Sequence, residues 1–477
     1  MGQEISAVSF SDEDRKEFQN RVREETKLLK AWFDNRRFTY EDVKKIGLEI
    51  EAWIIDRDHL PYPINEEFLQ KAKSEFLVKE LSQFNFEVNL TPHFLKESPF
   101  SQMKVQLEKL WKRCHSTSQH FDGHCMLIGV LPTIREEMLN LDCISSGNRY
   151  LAVNEQIFHL REGRPIKIHI EGEDVYQQTL HDVMLEAAAT SIQVHLQVNQ
   201  ENAVRLFNAS LMASAPLVAC AANSPFLYGK SLWDESRIPI FEQAINIPSF
   251  KNKKNESVGR VTFGTGYLKH SFLELFLENL NGYPPLLPML SEDPPECMSH
   301  LSLHNGTIWR WNRPIIGGNE DSPHLRIEHR IMPAGPTILD IIANTAFYIG
   351  LAHYFANLDK VPEESMTFTD CTNNFYSAAQ FGFRSKVQWF GRKINVQKLI
   401  VDNLVSFAKE GLLSQGIDRE EVSFYLDGII HQRALNGNNG SSWQRAFIEH
   451  YGPDFQALSE KYLELQLKGR PVHEWKI

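Results

Sequence analysis

The chain has 477 residues, 42% of them hydrophobic and 23% charged, the balance of a globular protein with one large domain or two to three smaller ones. Its net charge of −11 excludes the broad basic surface of a general nucleic-acid binder and disfavours an anionic membrane surface. An anionic small-molecule substrate stays compatible, because arginines and bound cations can reverse the field inside one cleft.

The residues after Met1 are polar and acidic, so no secretory leader is expected, although Met1-Gly2-Gln3-Glu4-Ile5-Ser6 fits the short acylation pattern. Residues 12–34 carry apolar positions at helical spacing and predict an amphipathic helix outside the main sheet. From 44 to 92 the period changes to two, and 101–121 returns to helix. Met126 to Leu131, ending at Pro132, reads as a strand. Residues 200–223 predict a buried helix that Pro216 should kink or end. The weakly polar run from Ala209 to Phe226 is broken by Ser210, Ser214, Pro216 and Asn223, which favours a packed helix over a membrane span.

Residues 251–257 form a polar insertion, and the prolines between 283 and 295 exclude regular structure there. Beyond Pro336 the pattern is mostly helical, through 337–357 and 394–429, then a Gly/Asn-rich run at 436–440 and a last helix to Leu467. The expected organisation is a helical segment 1–43, a catalytic core 44–340 and a helical part 341–477, an α+β architecture. Six scattered cysteines with no C-x-x-C pair argue against a disulfide framework or zinc site and for a reducing, cytoplasmic setting.

Four segments alternate cleanly. In Gly47–Trp53, Glu49 and Glu51 share one face opposite Leu48 and Ile50; in Asn85–Thr91, Glu87 lies with Asn85, Asn89 and Thr91. In Ser191–Val198 the polar face holds Gln193, His195 and Gln197, and in His324–Ile331 it holds Arg326, Glu328 and Arg330. Such strands are commonly just half-solvated. These, however, offer carboxylates, an imidazole and guanidinium groups with no lysine, a set suited to a divalent cation and phosphate. Glu49, Glu51, Glu87, His195 and Glu328 would hold Mg2+, with Mn2+ as the alternative, and Arg330 would stabilise a transferred phosphoryl group. No G-x-x-x-x-G-K-[ST] loop is present, so a nucleotide would be held by metal and arginine.

The ordered stretches Gly47–Glu51, Glu80–Pro92, Arg149-Tyr150, Gln193-Val194-His195, Asn223-Ser224-Pro225-Phe226 with Ser236-Arg237, Gly306–Trp309, Arg313-Pro314 and Arg326–Arg330 resemble the type-2 glutamate–cysteine ligase and carboxylate–amine ligase family. The resemblance covers about residues 44–477. It implies a glutamine synthetase-like antiparallel sheet with a metal and nucleotide face, covered by helices. It also implies ATP- and magnesium-dependent activation of the glutamate γ-carboxylate as an acyl phosphate, then attack by the cysteine amine.

Within it, Arg330, Glu328 and Arg313 take catalytic roles, and Arg330, Arg326 and Gln193 lie at the nucleotide. Arg149, Tyr150, Arg237 and Arg313 hold substrate carboxylates or phosphates. Arg310 and Asn312 around Trp311, and Ile331–Thr337 after Arg330, depart from the carboxylate–amine ligase branch and lean toward glutamate–cysteine ligase. The partners are then small molecules, glutamate with cysteine or another amine, with no nucleic acid or membrane; a homo-oligomer is compatible. The residues alone leave open a different amine acceptor, a metal-dependent hydrolase, or a relative that only binds nucleotide. His300, His304 and His324 read as structural, and Trp309 and Trp311 as packing groups.

Overall fold

A computed structural model describes residue 5 and residues 7–247, 250–251 and 257–477. The Met1–Ser6 acylation pattern and the 251–257 insertion lie largely outside them. Helix α1 (Asp12–Asp34) begins where Ser11 and Asp14 form a reciprocal capping box, and buries Phe18, Val22, Leu29, Trp32 and Phe33 along one stripe. That stripe rests on the helices Leu273–Gly282 and Ser299–Gly306, away from the sheet. Glu25, also buried, accepts from the Leu301 amide at 2.6 Å and contacts His300 Nδ1 at 2.6 Å.

The centre is an antiparallel sheet built on β1 (Lys45–Ile55). The remaining strands are β2 (Leu77–Lys79), β3 (Asn85–Asn89), β4 (His93–Phe94), β5 (His124–Met126), β6 (Ile192–Val198), β7 (Asn312–Gly317) and β8 (His324–His329). The order is β7-β8-β6-β1-β3-β2, with β4 and β5 also pairing to β1. The four alternating segments read from the sequence are thus four adjacent strands, β8, β6, β1 and β3. Their apolar residues, among them Leu48, Ile50, Val88, Val194, Leu196 and Ile327, are buried under α2 (Pro99–His120), α3 (Ala203–Ala221) and α4 (Ile338–Ala356). The α+β architecture is the one expected.

Helices α3 and α4 are long and apolar enough to cross a membrane by length and composition, yet 89% and 83% of their apolar windows are buried inside the protein. They are core helices packed on each other. Helix α3 does not end at Pro216 but continues to Ala221. Proline costs an interior hydrogen bond worth about 3 kcal/mol with its clash; every α3 residue except Val204 and Arg205 is buried, and that packing outweighs it.

The strand expected over Met126–Leu131 stops at Met126. The Leu127 amide donates to Gln466 Oε1 at 3.1 Å, and its carbonyl accepts from Gln466 Nε2 at 2.7 Å and Tyr462 Oη at 3.0 Å. Side chains from the last helix, Phe455–Leu467, therefore replace a strand partner. Two hairpins escape the sequence reading, Ile166–Glu171 with Val175–Leu180 and Lys386–Trp389 with Arg392–Asn395. The second shifts the expected helical start from 394 to Val396, where Asn395 caps it.

Candidate active site

Register decides which side chains meet. Glu49 pairs with Asn89 on β3 and Gln193 on β6, Glu51 pairs with Glu87, His195 pairs with Glu328, and Glu328 pairs with Arg313 on β7. Directly paired residues of an antiparallel ladder share a face, so this one carries every strand carboxylate singled out from the sequence. Two clusters form on it. Glu49, His195 and Glu328 bring potential ligand atoms within 4.8 Å of one another, and so do Glu51, Glu80 and Glu87.

The first cluster is rich in protein cations. Arg313 grips Glu328 with Nε on Oε2 and Nη2 on Oε1, both at 2.8 Å, and Arg330 Nη1 adds a contact to Oε2 at 3.1 Å. Burial alone would raise the Glu328 carboxyl; these two guanidinium groups outweigh it and hold it well below the usual range. Glu49 behaves alike: burial opposes ionisation, but His195 brings it down to about 2. His195 Nε2 lies 3.0 Å from Glu49 Oε1, yet neither ring nitrogen has a partner in hydrogen-bond geometry among the described residues. A buried imidazole turned toward two carboxylates without a hydrogen bond is the arrangement of a ligand set.

The second cluster lacks such compensation. Burial, then the neighbouring charges of Glu49 and Glu51, push Glu87 up to about 8. Glu80 is raised well above its usual value by burial and by Glu87, Glu51 and Glu186, and Glu51 is raised by burial despite Arg330 and Arg237. Glu51 is oriented by the Ser191 amide at 2.6 Å and Gln193 Nε2 at 3.1 Å, Glu87 by Asn89 Nδ2 at 2.8 Å. Oxygen donors this crowded and this short of positive charge fit a hard divalent cation.

Two members of this neighbourhood were not named as site residues from the sequence. Glu80 stands two positions after Val78, whose partner is Glu87, so it reaches the same side; its signal was the short turn that separates it from β3. Glu186 belongs to a single tight turn, Met184–Ala188, with no periodicity to betray it. Burial and Glu51 push its carboxyl up to about 8, with Arg330 opposing.

Tyr150 and Arg149 lie on the first turn of the helix Asn148–Leu160. The Tyr150 hydroxyl donates to the Lys79 carbonyl at 2.9 Å and is pushed up by burial and Glu80, which places it against the second cluster. Arg237 is buried behind Arg330. Its Nε meets Glu235 at 3.2 Å, its Nη2 donates to the Ile331 carbonyl, and its guanidinium stands 5.3 Å from the Trp311 ring centroid. Arg326 is mostly buried, and its Nε has no partner among the described residues. It lines a pocket of about 350 Å³ with Glu49, Asn89, His195, Gln197 and His324, at one end of the carboxylate face. A larger open hollow, about 1010 Å³, lies elsewhere around Arg135, Tyr228 and Phe455 and bears none of these groups. Carboxylates identify the site; size does not.

Comparison with known proteins bears on family and fold. The family model for glutamate-cysteine ligase family 2 matches residues 45–461. No curated protein sequence matches the chain. Among solved structures, the glutamate–cysteine ligase of Francisella tularensis in complex with AMP is similar at TM-score 0.51 and 10% identity, over 92% of this chain and 91% of that one. A bifunctional glutathione synthetase from Pasteurella multocida gives TM-score 0.52 and 12% identity over 90% of this chain, which spans 53% of that protein. At such identities the likeness is one of fold.

Proposed function

The chain belongs to glutamate-cysteine ligase family 2, and from that premise we propose that it is an ATP-dependent carboxylate–amine ligase joining the glutamate γ-carboxylate to the cysteine amine. The observation that carries the reading is the register that sets two carboxylate clusters beside Arg313 and Arg330 on one sheet face.

Glu49, His195 and Glu328 would hold one Mg2+, and Glu51, Glu80 and Glu87 a second. When bound, these ions neutralise the nucleotide phosphates and the charge that develops during phosphoryl transfer. The protein's own groups do the rest. Arg330, fixed by its contact to Glu328, directs its remaining donors at the phosphoryl group leaving ATP for the γ-carboxylate. Arg313 keeps Glu328 ionised and oriented. Arg326 offers an unspent Nε to the nucleotide from the adjoining pocket, and Gln193 fixes Glu51. Arg149, beside the second cluster, is assigned to the glutamate α-carboxylate; Tyr150 stands next to it, its own hydroxyl hydrogen given to the Lys79 carbonyl. Arg237 backs Arg330 with positive charge. A carboxylate is a poor acyl donor at neutral pH; its mixed anhydride with phosphate supplies a leaving group, and the amine displaces phosphate. The six free cysteines fit a cytoplasmic setting.

The test is phosphate release with ATP, Mg2+ and glutamate, with and without cysteine, and identification of the product by mass. Cysteine-dependent release with γ-glutamylcysteine as product is expected. Arg330→Ala should cost roughly 10²–10³ in kcat, and Glu328→Gln should abolish turnover in a folded protein. Full activity in both variants would refute the site. Turnover that needs another amine would keep the ligase and change the acceptor.

A further inference from the structure

On the Arg330 side of the sheet the site is walled by the helix Arg237–Ala244, the segment Trp309–Trp311 and the helix Phe368–Phe381. Arg330 stands 5.7 Å from the Phe241 ring centroid, and Phe241 packs edge-on to Trp309 and Trp311. The next residue, Glu242, accepts from Trp311 Nε1 at 2.8 Å and from the Tyr376 hydroxyl at 2.7 Å, both onto Oε1. Its Oε2 has no hydrogen bond among the described residues.

Three carboxylates around this wall are matched to cations. Glu235 has Arg237, Glu278 has Arg310, and Asp234 has Arg384 and Arg445. Glu242 alone of these four meets only neutral donors. Glu242 is half-buried with no cation in contact among the described residues, so its free Oε2 is open to a cationic ligand, which would pair with it. The surrounding indole and phenyl faces favour the same kind of ligand.

We propose that Glu242 is the acceptor-side carboxylate of this ligase, receiving the ammonium group of the amine substrate and thereby selecting an acceptor that arrives as a cation. The inference rests on the ligase reading and adds the acceptor site to it. The docked ammonium passes one proton to Glu242 and becomes a neutral amine. Its lone pair forms the C–N bond as the C–O bond to phosphate breaks, and the second N–H proton leaves with the phosphate as HPO4²⁻. Burial pushes the Glu242 carboxyl up to about 7, which suits a group that holds and returns a proton near neutrality.

Glu242→Gln is the informative variant, because its amide oxygen still accepts from Trp311 and Tyr376 while the charge is gone. The full-length protein is supplied with ATP, Mg2+ and glutamate, and two classes of nucleophile are compared. One is a panel of primary amines that includes cysteine; the other is hydroxylamine, which is neutral at pH 7 and reports acyl phosphate as a hydroxamate. The expected result is an acceptor KM raised at least tenfold more for the best amine than for hydroxylamine, with partial recovery in Glu242→Asp. An equal loss with both nucleophiles, or no loss with either, would overturn the proposal. Wild-type protein that forms hydroxamate while Glu242→Gln leaves amine KM unchanged sinks this inference alone. Wild-type protein that forms no hydroxamate overturns the ligase reading, and this inference with it.

Discussion

His304 shows how one buried side chain ties sequence to solution behaviour. Its Nε2 lies 3.1 Å from the Asn279 carbonyl, and burial, with Arg260 and Arg310 nearby, pushes its pKa down to about 4. In the unfolded chain an imidazole titrates near 6.5. Between these values the unfolded state binds a proton that the folded state refuses, so stability is complete above pH 6.5 and is lost as pH falls toward 4. The slope is about 1.4 kcal/mol per pH unit for one such group. His304→Gln keeps a donor for Asn279 but cannot titrate. Whatever it costs at pH 7, the gap to wild type should close by about 2 kcal/mol at pH 5 in denaturant melts. A gap that is constant with pH would mean that folding leaves the His304 pKa where it stands in the unfolded chain. At this scale the sequence was informative wherever a side chain obeyed a strand's period: Glu49, Glu51, Glu87, His195, Glu328 and Arg330 stand together on the sheet face. Glu186 and Glu242 were invisible for the complementary reason. One sits in a tight turn and the other on a helix with no acidic pattern, and only tertiary packing turns them inward.

Among elements, contacts that spacing cannot encode decide the outcome. Helix α4 crosses a later helix, Val405–Leu413, so closely that a Cβ on Gly411 would fall on the Gly350 carbonyl oxygen. Gly411→Ala must drive the two backbones apart, at roughly 1–3 kcal/mol. Gly428, in the helical stretch Ser423–His431, has no atom nearer than 3.8 Å to such a Cβ, so Gly428→Ala should be neutral or stabilise by about 0.4–1 kcal/mol. Comparing the two denaturation midpoints isolates the crossing; equal effects would show that helix propensity, not close approach, governs both sites. The same distinction explains which boundaries the sequence reveals. Helices α1 and α4 begin at capping boxes written locally by Ser11 with Asp14 and by Thr337 with Asp340, and both starts were legible to within a residue. The end of β5 is written by Gln466, more than three hundred residues away, and was not.

At the scale of the molecule, the carboxylate face is a standing electrostatic strain. Glu51, Glu80, Glu87 and Glu186 are each raised by burial, and Glu80 and Glu87 further by one another or by their neighbours, while the chain as a whole carries −11. The sheet, with α2, α3 and α4 behind it, is rigid enough to hold like charges together that would separate in a looser fold. Relief comes from a divalent cation or from removing a charge. Mg2+ should therefore raise the melting temperature, by about 2.7 kcal/mol of added stability at a hundredfold excess over its Kd. Glu87→Gln should melt no lower than wild type without metal, since a repelled carboxylate becomes a neutral amide of the same shape, yet it should lose most of the Mg2+-induced shift. Thermal melts of both proteins with and without Mg2+ separate the two effects. If Glu87→Gln kept the full metal shift, the second carboxylate cluster would not be a metal site. If it melted well below wild type without metal, the ionised carboxylate would be supporting the fold, and the strain would have to be sought elsewhere on that face.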